Sequence, residues 1–350
     1  MLINKIIRLI GLCVFFINTI NAQSIDSLPA PSCNNLCCGS DMTPAGVMYS
    51  HLHSKNEWML SYRYQFMNMK NWNHNVSQDE VFKTYNMSTD AMRMHMHMLM
   101  LMYGISDRFT VMLMGHYMSK SMNMLMFGSS SHNHGGASMS HQMYTQGLAD
   151  SKLILTYGLV NSHNHRLLIS SGLGLPTGNM QLKGDSSTMY PNKRYPYMMQ
   201  LGSGSFEFPL AMSYIYQNNK LSIGNQFDVN FRIRTNVLNY KWSPEINNST
   251  WVAYKFLKNT SISLRAENKV LSKILGTDAS LYYLAEPAAN SNNYGGYVLQ
   301  TTFGFNQYFD LGPLYACKLG LEAGMFPVQN LYGLQLQNHF ILQSTLNLMF

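Results

Sequence analysis

Methionine and histidine are concentrated in one part of this chain. Of the 28 methionines, 20 lie within residues 42–143, together with 9 of the 12 histidines. Thioether sulfur and imidazole nitrogen are the donors that bind Cu(I) or Ag(I) in compartments where free thiolates are unreliable. We therefore expect this part of the chain to handle a soft metal ion. Copper, as Cu(I) or Cu(II), or Ag(I) would be a ligand or cargo, and no cofactor is required.

The sharpest concentration of these donors lies in residues 119–146, where glycine and serine separate them. Such a composition is typical of a flexible loop that could fold around an ion. The candidate metal ligands in this segment are Met122, Met124, Met126, His132, His134, Met139, His141 and Met143. The alternative is a hydrated loop whose histidines bind nothing.

A second candidate stretch, residues 91–109, reads "AMRMHMHMLMLMYGISDRF" and has a period of two. Methionine occupies positions 94, 96, 98, 100 and 102, and His95 and His97 begin the opposite face. On an extended strand these methionines would repeat on one face about every 6.6–7 Å. Facing lipid, they would be apolar filler; facing a pore, they would form a ladder of soft ligands. We favour the lipid-facing arrangement, with an interior ladder and mixed arrangements as alternatives. His95 and His97 are further candidate metal ligands.

The chain begins with the features of an exported protein. Lys5 and Arg8 precede the apolar run "LIGLCVFFINTI", and Ala22 precedes a cleavage point, so residues 1–22 are predicted to be a signal peptide. No later segment has 18 consecutive apolar residues, which excludes a helical membrane protein. Charged residues make up only 12% of the chain and tyrosines number 22. This combination is typical of an outer-membrane β-barrel.

Segments of alternating polarity recur along the chain, and short polar turns alternate with longer connections. This rhythm predicts an all-β fold, a single antiparallel transmembrane β-barrel of about 12 strands over residues 55–350. Short periplasmic turns, long outer loops and two periplasmic termini would follow, with a Cys/His-bearing periplasmic segment at 23–54. The predicted long connections are 68–91, 119–146, 176–196, 234–247, 271–293 and 327–333.

Three short motifs carry a family resemblance. They are Gly-Leu-Ala-Asp at 147–150, Leu-Pro-Thr-Gly at 175–178 and Gly-Ser-Gly at 202–204. With their surroundings they resemble the outer-membrane β-barrel family associated with the meta-pathway of phenol degradation, also labelled transporters. The segment "CCGSDMTPAGVM" and the Met/His-rich region resemble a Bacteroidetes-type subgroup associated with heavy metals. The terminal Phe350 resembles the last aromatic residue of bacterial outer-membrane barrels, which implies the barrel-insertion machinery as a partner.

The cysteines and the remaining polar residues give weaker indications. Cys33, Cys37, Cys38 and Cys317 would meet an oxidising compartment, so we favour disulfides over a metal cluster, with the pairing left open. No nucleophile elbow or carboxylate pair indicates an enzyme. The net charge of +7 is scattered, and no basic run indicates nucleic acid as a partner.

The sequence therefore favours an outer-membrane channel or transport protein that contacts lipid and handles soft metal ions, copper or silver. One alternative is a transporter of small hydrophobic or aromatic molecules, as the family resemblance implies. The other is a surface metal-binding barrel that does not transport. An apolar interior would favour the first alternative, and an absence of conductance would favour the second.

Overall fold

The computed structural model describes residues 41–126, 139–184, 192–310 and 316–350. In this part of the chain nearly all regular structure is antiparallel β. The strands are β1 (Trp58–Trp72), β2 (Met87–Ser106), β3 (Phe109–Met126), β4 (Met139–Leu148), β5 (Ser151–Asn161), β6 (His165–Leu175), β7 (Glu207–Gln217), β8 (Leu221–Arg232), β9 (Tyr240–Lys241), β10 (Glu245–Leu257), β11 (Thr260–Leu271), β12 (Leu275–Gly276), β13 (Gly296–Asp310), β14 (Ala316–Leu331) and β15 (Leu336–Met349). The described α-helix is α1 (Gln78–Phe82), and no described helix is long and apolar enough to cross a membrane.

The strands close into a barrel. β1 pairs with both β2 and β15, and β4 and β5 pair with successive parts of β3, so they act as one wall strand. Twelve wall strands thus surround the interior within the described residues, as the sequence predicts. The chain ends help to close the wall, because the amides of Trp58 and Phe350 each donate to the other's carbonyl, at 2.8 and 2.9 Å.

The alternating sequence pattern separates an apolar outer surface from a buried interior. On β2, Leu99 and Leu101 are 56% and 39% exposed, whereas Met98, Met100 and Met102 are buried. Exposed leucine and phenylalanine side chains recur on the outer face of the other wall strands. Since a closed barrel satisfies every wall strand's backbone groups, such a surface is suited to lipid.

The two ends of the barrel differ. Tight turns at 107–108, 162–164, 218–220 and 258–259 lie at the end that also holds Trp58 and Phe350, and the long connections lie at the other end. This asymmetry confirms the predicted rhythm. Several strands are nevertheless longer than predicted, with 20 residues in β2 and 18 in β3, against roughly 9–11 needed to span a bilayer.

The predicted long connections 68–91, 119–146 and 327–333 are therefore wrong in extent. For the last of them, β14 continues to Leu331, and residues 332–335 connect it to β15. β1 and β2 continue through much of the first, and β3 and β4 occupy both ends of the second. Methionine still recurs at a period of two in "SMNMLM" and "MSHQM", although the serines make these segments less apolar than a typical membrane strand. Antiparallel pairing beyond the membrane satisfies the backbone there, so strand geometry continues.

Candidate functional site

The interior faces of β1 to β4 are lined by methionine. Residues directly opposite each other in an antiparallel pair share a face, and Met100 lies opposite Met114, and Met102 opposite both Met112 and Met59. Farther along, Met122 lies opposite both Met92 and Met143. We call this surface the methionine wall: Met59, Met67, Met69, Met87, Met92, Met94, Met96, Met98, Met100, Met102, Met112, Met114, Met118, Met122, Met124, Met126 and Met143.

The favoured lipid-facing arrangement of residues 94–102 is thus wrong, and the interior ladder is the one that forms. His95 and His97 share the outer face with Leu99. There, Nδ1 of His97 lies 2.7 Å from the hydroxyl of Tyr62, and Nδ1 of His95 lies 2.8 Å from that of Tyr64. An unbranched thioether adapts to irregular space, which suits methionine to the gap between a barrel wall and the segments packed inside it.

The predicted metal-binding loop is instead mostly a strand pair. In backbone register, Met122 lies opposite Met143, Met124 opposite His141, and Met126 opposite Met139. The hydroxyl of Thr89 donates to the sulfur of Met124 at 3.4 Å and lies 3.7 Å from that of Met122. Met122, Met124 and Met143 are fully buried in one cluster with Met69, Met87, Met92 and Met199. His132 and His134 lie outside the described residues.

His116 is an interior residue that the sequence analysis missed. It lies on β3 directly opposite Met98, between Met114 and Met118 on the same face. Its Nδ1 is 2.7 Å from the carbonyl oxygen of Asp150. The signal was present, because position 116 continues the alternation that places Met112 and Met114 inside.

Strands β5 to β14 place paired charges in the interior, beginning with Lys152, which lies opposite Met114 across the β3–β5 pair. Arg265 binds Glu322 at 3.0 Å, and both side chains are almost fully buried. Glu207 pairs with Lys152 and with Arg232, each at 2.9 Å. The interior therefore contains buried ion pairs as well as thioethers and is not uniformly apolar.

Residues 41–53 lie inside the barrel at the short-turn end. Arg63 donates to the carbonyl of Val47 at 2.9 Å, and the amide of Tyr49 donates to Gln226 at 3.0 Å. Asp41 lies 3.4 Å from Lys318. Burial alone would raise the pKa of Asp41, but the charges of Lys318 and Arg166 hold it well below its usual range.

This inner segment meets the methionine wall. Met48 and His51 border one small cavity together with Met100 and Met102. Burial lowers the pKa of His51 to about 3, so its imidazole is neutral at pH 7. The described part of the predicted segment 23–54 thus contributes a neutral imidazole and a thioether beside the wall.

Residues 195–200 pack against the inner face of β3 and β4 at the long-loop end. Lys120, which is inward-facing on β3, donates to the carbonyls of Met198 at 2.9 Å and Gln200 at 2.6 Å. The hydroxyl of Thr145 donates to the carbonyl of Met199 at 2.9 Å. Both ends of the methionine wall are thus covered by chain that further methionines line.

The three motifs of the family resemblance come together at one point of the wall. The Asp150 carboxylate accepts from the amides of Gly178 at 2.9 Å and Ser203 at 2.8 Å. Gly202 packs directly on Gly178, because a Cβ at Gly202 would lie 2.2 Å from the Gly178 carbonyl oxygen. These motifs have a structural role: they tie the 176–206 connection to the break between β4 and β5.

Replacing Asp150 by alanine should lower the free energy of unfolding by about 2–4 kcal/mol, because two buried amides lose a charged acceptor. Chemical unfolding of the refolded barrel in detergent would measure this. Asp90→Ala is the matched control, since Asp90 is exposed on β2 and should change stability by less than about 0.5 kcal/mol. Equal stability of the two variants would contradict the structural role.

Of the four cysteines beyond the predicted signal peptide, Cys317 lies within the described residues. Cys33, Cys37 and Cys38 lie outside the described residues. Cys317 is buried on β14 and forms no disulfide with any described residue. Among the described residues no three His, Cys, Asp or Glu side chains come together as a metal site.

Comparison with known proteins supports the fold. The chain is similar to an outer membrane channel from Pseudomonas putida F1, with 16% identity over 86% of this chain and 98% of that one, and a TM-score of 0.56. Weaker similarities include a FadL homologue of Pseudomonas aeruginosa (10% identity, 89% and 95% coverage, TM-score 0.41) and the transport unit of the autotransporter AIDA-I from Escherichia coli (7%, 90% and 95%, TM-score 0.46).

No protein-family model and no curated protein matches the chain. The resemblance to the phenol meta-pathway family and to its Met/His-rich subgroup therefore stays a prediction. The likeness to the Pseudomonas putida channel extends over almost that whole protein. The chain has the fold of an outer-membrane β-barrel channel.

Proposed function

We propose that this protein is a non-enzymatic outer-membrane channel that passes soft metal ions, Cu(I) or Ag(I), along the methionine wall. The observation that carries the proposal is the inward orientation of the wall, in register across β1 to β4. Thioether sulfur is a soft, neutral ligand that selects such ions over Mg²⁺ or Ca²⁺. The short-turn end would face the periplasm, and the insertion machinery would recognise Phe350.

The spacing of the wall suits movement between sites. Opposite side chains on neighbouring strands have Cβ atoms about 4.5–5.5 Å apart, and successive inward residues on one strand are about 6.6–7 Å apart. A methionine side chain can bridge much of such a gap. Conduction requires many binding sites that are individually weak enough to release the ion. A row of thioethers provides this, whereas one deep chelating site would hold the ion.

The charged side of the interior supports an ionic cargo over a hydrophobic one. Its buried charges, including Arg265, Glu322, Lys152 and Glu207, are paired with one another. The ion pairs keep this part of the interior polar. A purely hydrophobic molecule would meet these charged groups as well as the apolar thioethers.

A transporter of small hydrophobic or aromatic molecules is the second candidate. The specific observation in its favour is that the methionine wall is also a continuous, adaptable apolar surface. Leucine preserves apolar character but removes the sulfur ligand, so methionine-to-leucine substitution separates the two functions.

The test is a flux measurement with the full barrel in liposomes, using a trapped indicator for Ag(I) and, separately, toluene uptake. The interior variant replaces Met96, Met98, Met100, Met114 and Met118 by leucine. The surface variant replaces Met212 and Met325, which are 50% and 63% exposed on the outer face. We expect Ag(I) flux with wild type and the surface variant and at least tenfold less with the interior variant, since loss of a single supporting residue already costs about 10–100-fold in metal affinity.

Toluene uptake that exceeds Ag(I) flux and is equal in all three proteins would favour the hydrophobic cargo. Tight Ag(I) binding without flux would favour a metal-binding barrel that does not transport. Absence of both binding and flux would contradict the proposed function.

A further inference from the structure

The His116 ring is fixed in one tautomer by its surroundings. Its Nδ1 lies 2.7 Å from the carbonyl oxygen of Asp150. Because a carbonyl oxygen can only accept, Nδ1 must carry the proton. In the neutral ring, Nε2 then holds a free lone pair. A backbone carbonyl on one ring nitrogen is the arrangement that orients metal-binding histidines in proteins.

Several hydrogen bonds fix the position of Asp150. Its carboxylate accepts from the amides of Gly178 and Ser203, and the neighbouring amide of Ala149 donates to the His116 carbonyl at 2.9 Å. The break between β4 and β5 thus turns the Asp150 carbonyl toward β3. The imidazole is held before any ligand arrives.

Thioethers surround the imidazole. Met98 lies directly opposite His116 across the β2–β3 pair, and their Cβ atoms are expected about 4.5–5.5 Å apart. Met114 and Met118 precede and follow His116 on the same face of β3, and Met96 and Met100 do so beside Met98 on β2. One imidazole and up to five thioethers therefore share one patch of the interior.

The nearby charges compensate one another. Lys152, which lies opposite Met114 across the β3–β5 pair, forms an ion pair with Glu207 at 2.9 Å, and Arg232 pairs with the same carboxylate. The Asp150 carboxylate accepts from the amides of Gly178 and Ser203. The patch itself offers only neutral nitrogen and sulfur donors. It lacks the carboxylate cage that Ca²⁺ requires, and it suits a monovalent soft ion.

From this geometry we propose that His116 Nε2 and the sulfur of Met98, with the neighbouring thioethers, form a binding site for Cu(I) or Ag(I). The site lies between the buried methionine clusters around Met92 and Met122 at one end and Met100 and Met114 at the other. It would be the one binding site on β2 and β3 that combines a nitrogen ligand with sulfur ligands. The proposal rests on the proposed function, since it names a specific site along the same wall.

The test uses the full barrel in detergent with silver nitrate as the probe. One variant is His116→Gln, whose amide can still donate to the Asp150 carbonyl. Its control is His97→Gln, because His97 lies on the outer face. A second pair is Met98→Leu with Met212→Leu. Ag(I) affinity is measured by competition titration, and the ligands of the first bound ion by silver X-ray absorption.

We expect one nitrogen among the sulfur neighbours of the first silver ion in wild type. His116→Gln should remove that nitrogen and weaken the first binding step about 10–100-fold, while His97→Gln leaves both unchanged. Met98→Leu should weaken the same step, and Met212→Leu should not. Heat-modifiable gel migration verifies folding, and Met98→Leu gives an independent test if His116→Gln does not fold.

Unchanged affinity and coordination in His116→Gln or in Met98→Leu would overturn the site. If Ag(I) flux persists in those proteins and is lost in the interior variant, the channel function stands while the site fails. If wild type neither binds nor passes Ag(I), the proposed function fails together with the site.

Discussion

Replacement of Met96, Met98, Met100, Met114 and Met118 by leucine should weaken Ag(I) and Cu(I) binding by at least about 100-fold, because every candidate sulfur ligand around the middle of the wall is lost. The expected change in fold is small. Leucine and methionine have similar volumes, and such swaps each cost less than about 1.5 kcal/mol. The measurement is a competition titration in detergent with a chromophoric chelator of known affinity.

The surface variant with Met212→Leu and Met325→Leu is the control, since both methionines lie on the outer face. It should bind as wild type does. Equal binding by wild type, the interior variant and the surface variant would mean that the wall is apolar packing alone. Binding lost equally in both variants would mean that the inward orientation of the methionines does not matter, and this would contradict the proposed function.

Replacement of Glu322 by leucine should lower the free energy of unfolding by about 3–5 kcal/mol, because removing one member of a buried ion pair leaves the other charge uncompensated. Glu322 binds Arg265 through both carboxylate oxygens, at 3.0 and 3.2 Å, and also accepts from Thr302. Glu267 also binds Arg265 and keeps the effect toward the lower end of this range.

The matched control combines Glu322→Leu with Arg265→Met. Removing both charges should recover most of the lost stability, because apolar replacement of a whole buried pair is often neutral. Urea unfolding of the refolded barrel, followed by tryptophan fluorescence, measures both variants. A double variant as unstable as the single one would show that packing around Gly46, which contacts Arg265, matters more than charge.

Much of the fold follows from the sequence, because every wall strand of a barrel must direct one face to lipid and the other to the interior. Leu99, Leu101 and Tyr103 have to face lipid or the interior together. The alternation of short turns and long connections indicates an even number of strands. The extent of β3 and β4 was harder to predict. Serine and histidine in "MSHQM" weaken an alternation that pairing with β3 nevertheless maintains.

The candidate site was only partly predictable. Period two groups Met94 with Met102, but it leaves open which face is inside, because both faces of β2 carry apolar residues. That orientation depends on partners far along the chain, such as Tyr62 opposite Leu99. To identify His116 as a candidate ligand, one has to know that the carbonyl of Asp150, 34 residues away in the chain, points toward its ring.

The inner segment could not be predicted from its own residues. Asp41, Tyr49 and His51 in a short polar segment are typical of a solvated periplasmic linker. Their burial depends on inward-facing groups of distant strands, among them Lys318 and Gln226. Sequence distance hides such contacts, because nothing local selects them.

The most direct test of the central claim is a crystal of the barrel soaked with silver nitrate, with anomalous difference maps collected at a wavelength where silver scatters strongly. We expect silver peaks inside the barrel beside the sulfur atoms of the methionine wall, including one between His116 and Met98. Silver bound only on the outer face, at His95 and His97, or no silver in the interior at all, would contradict it.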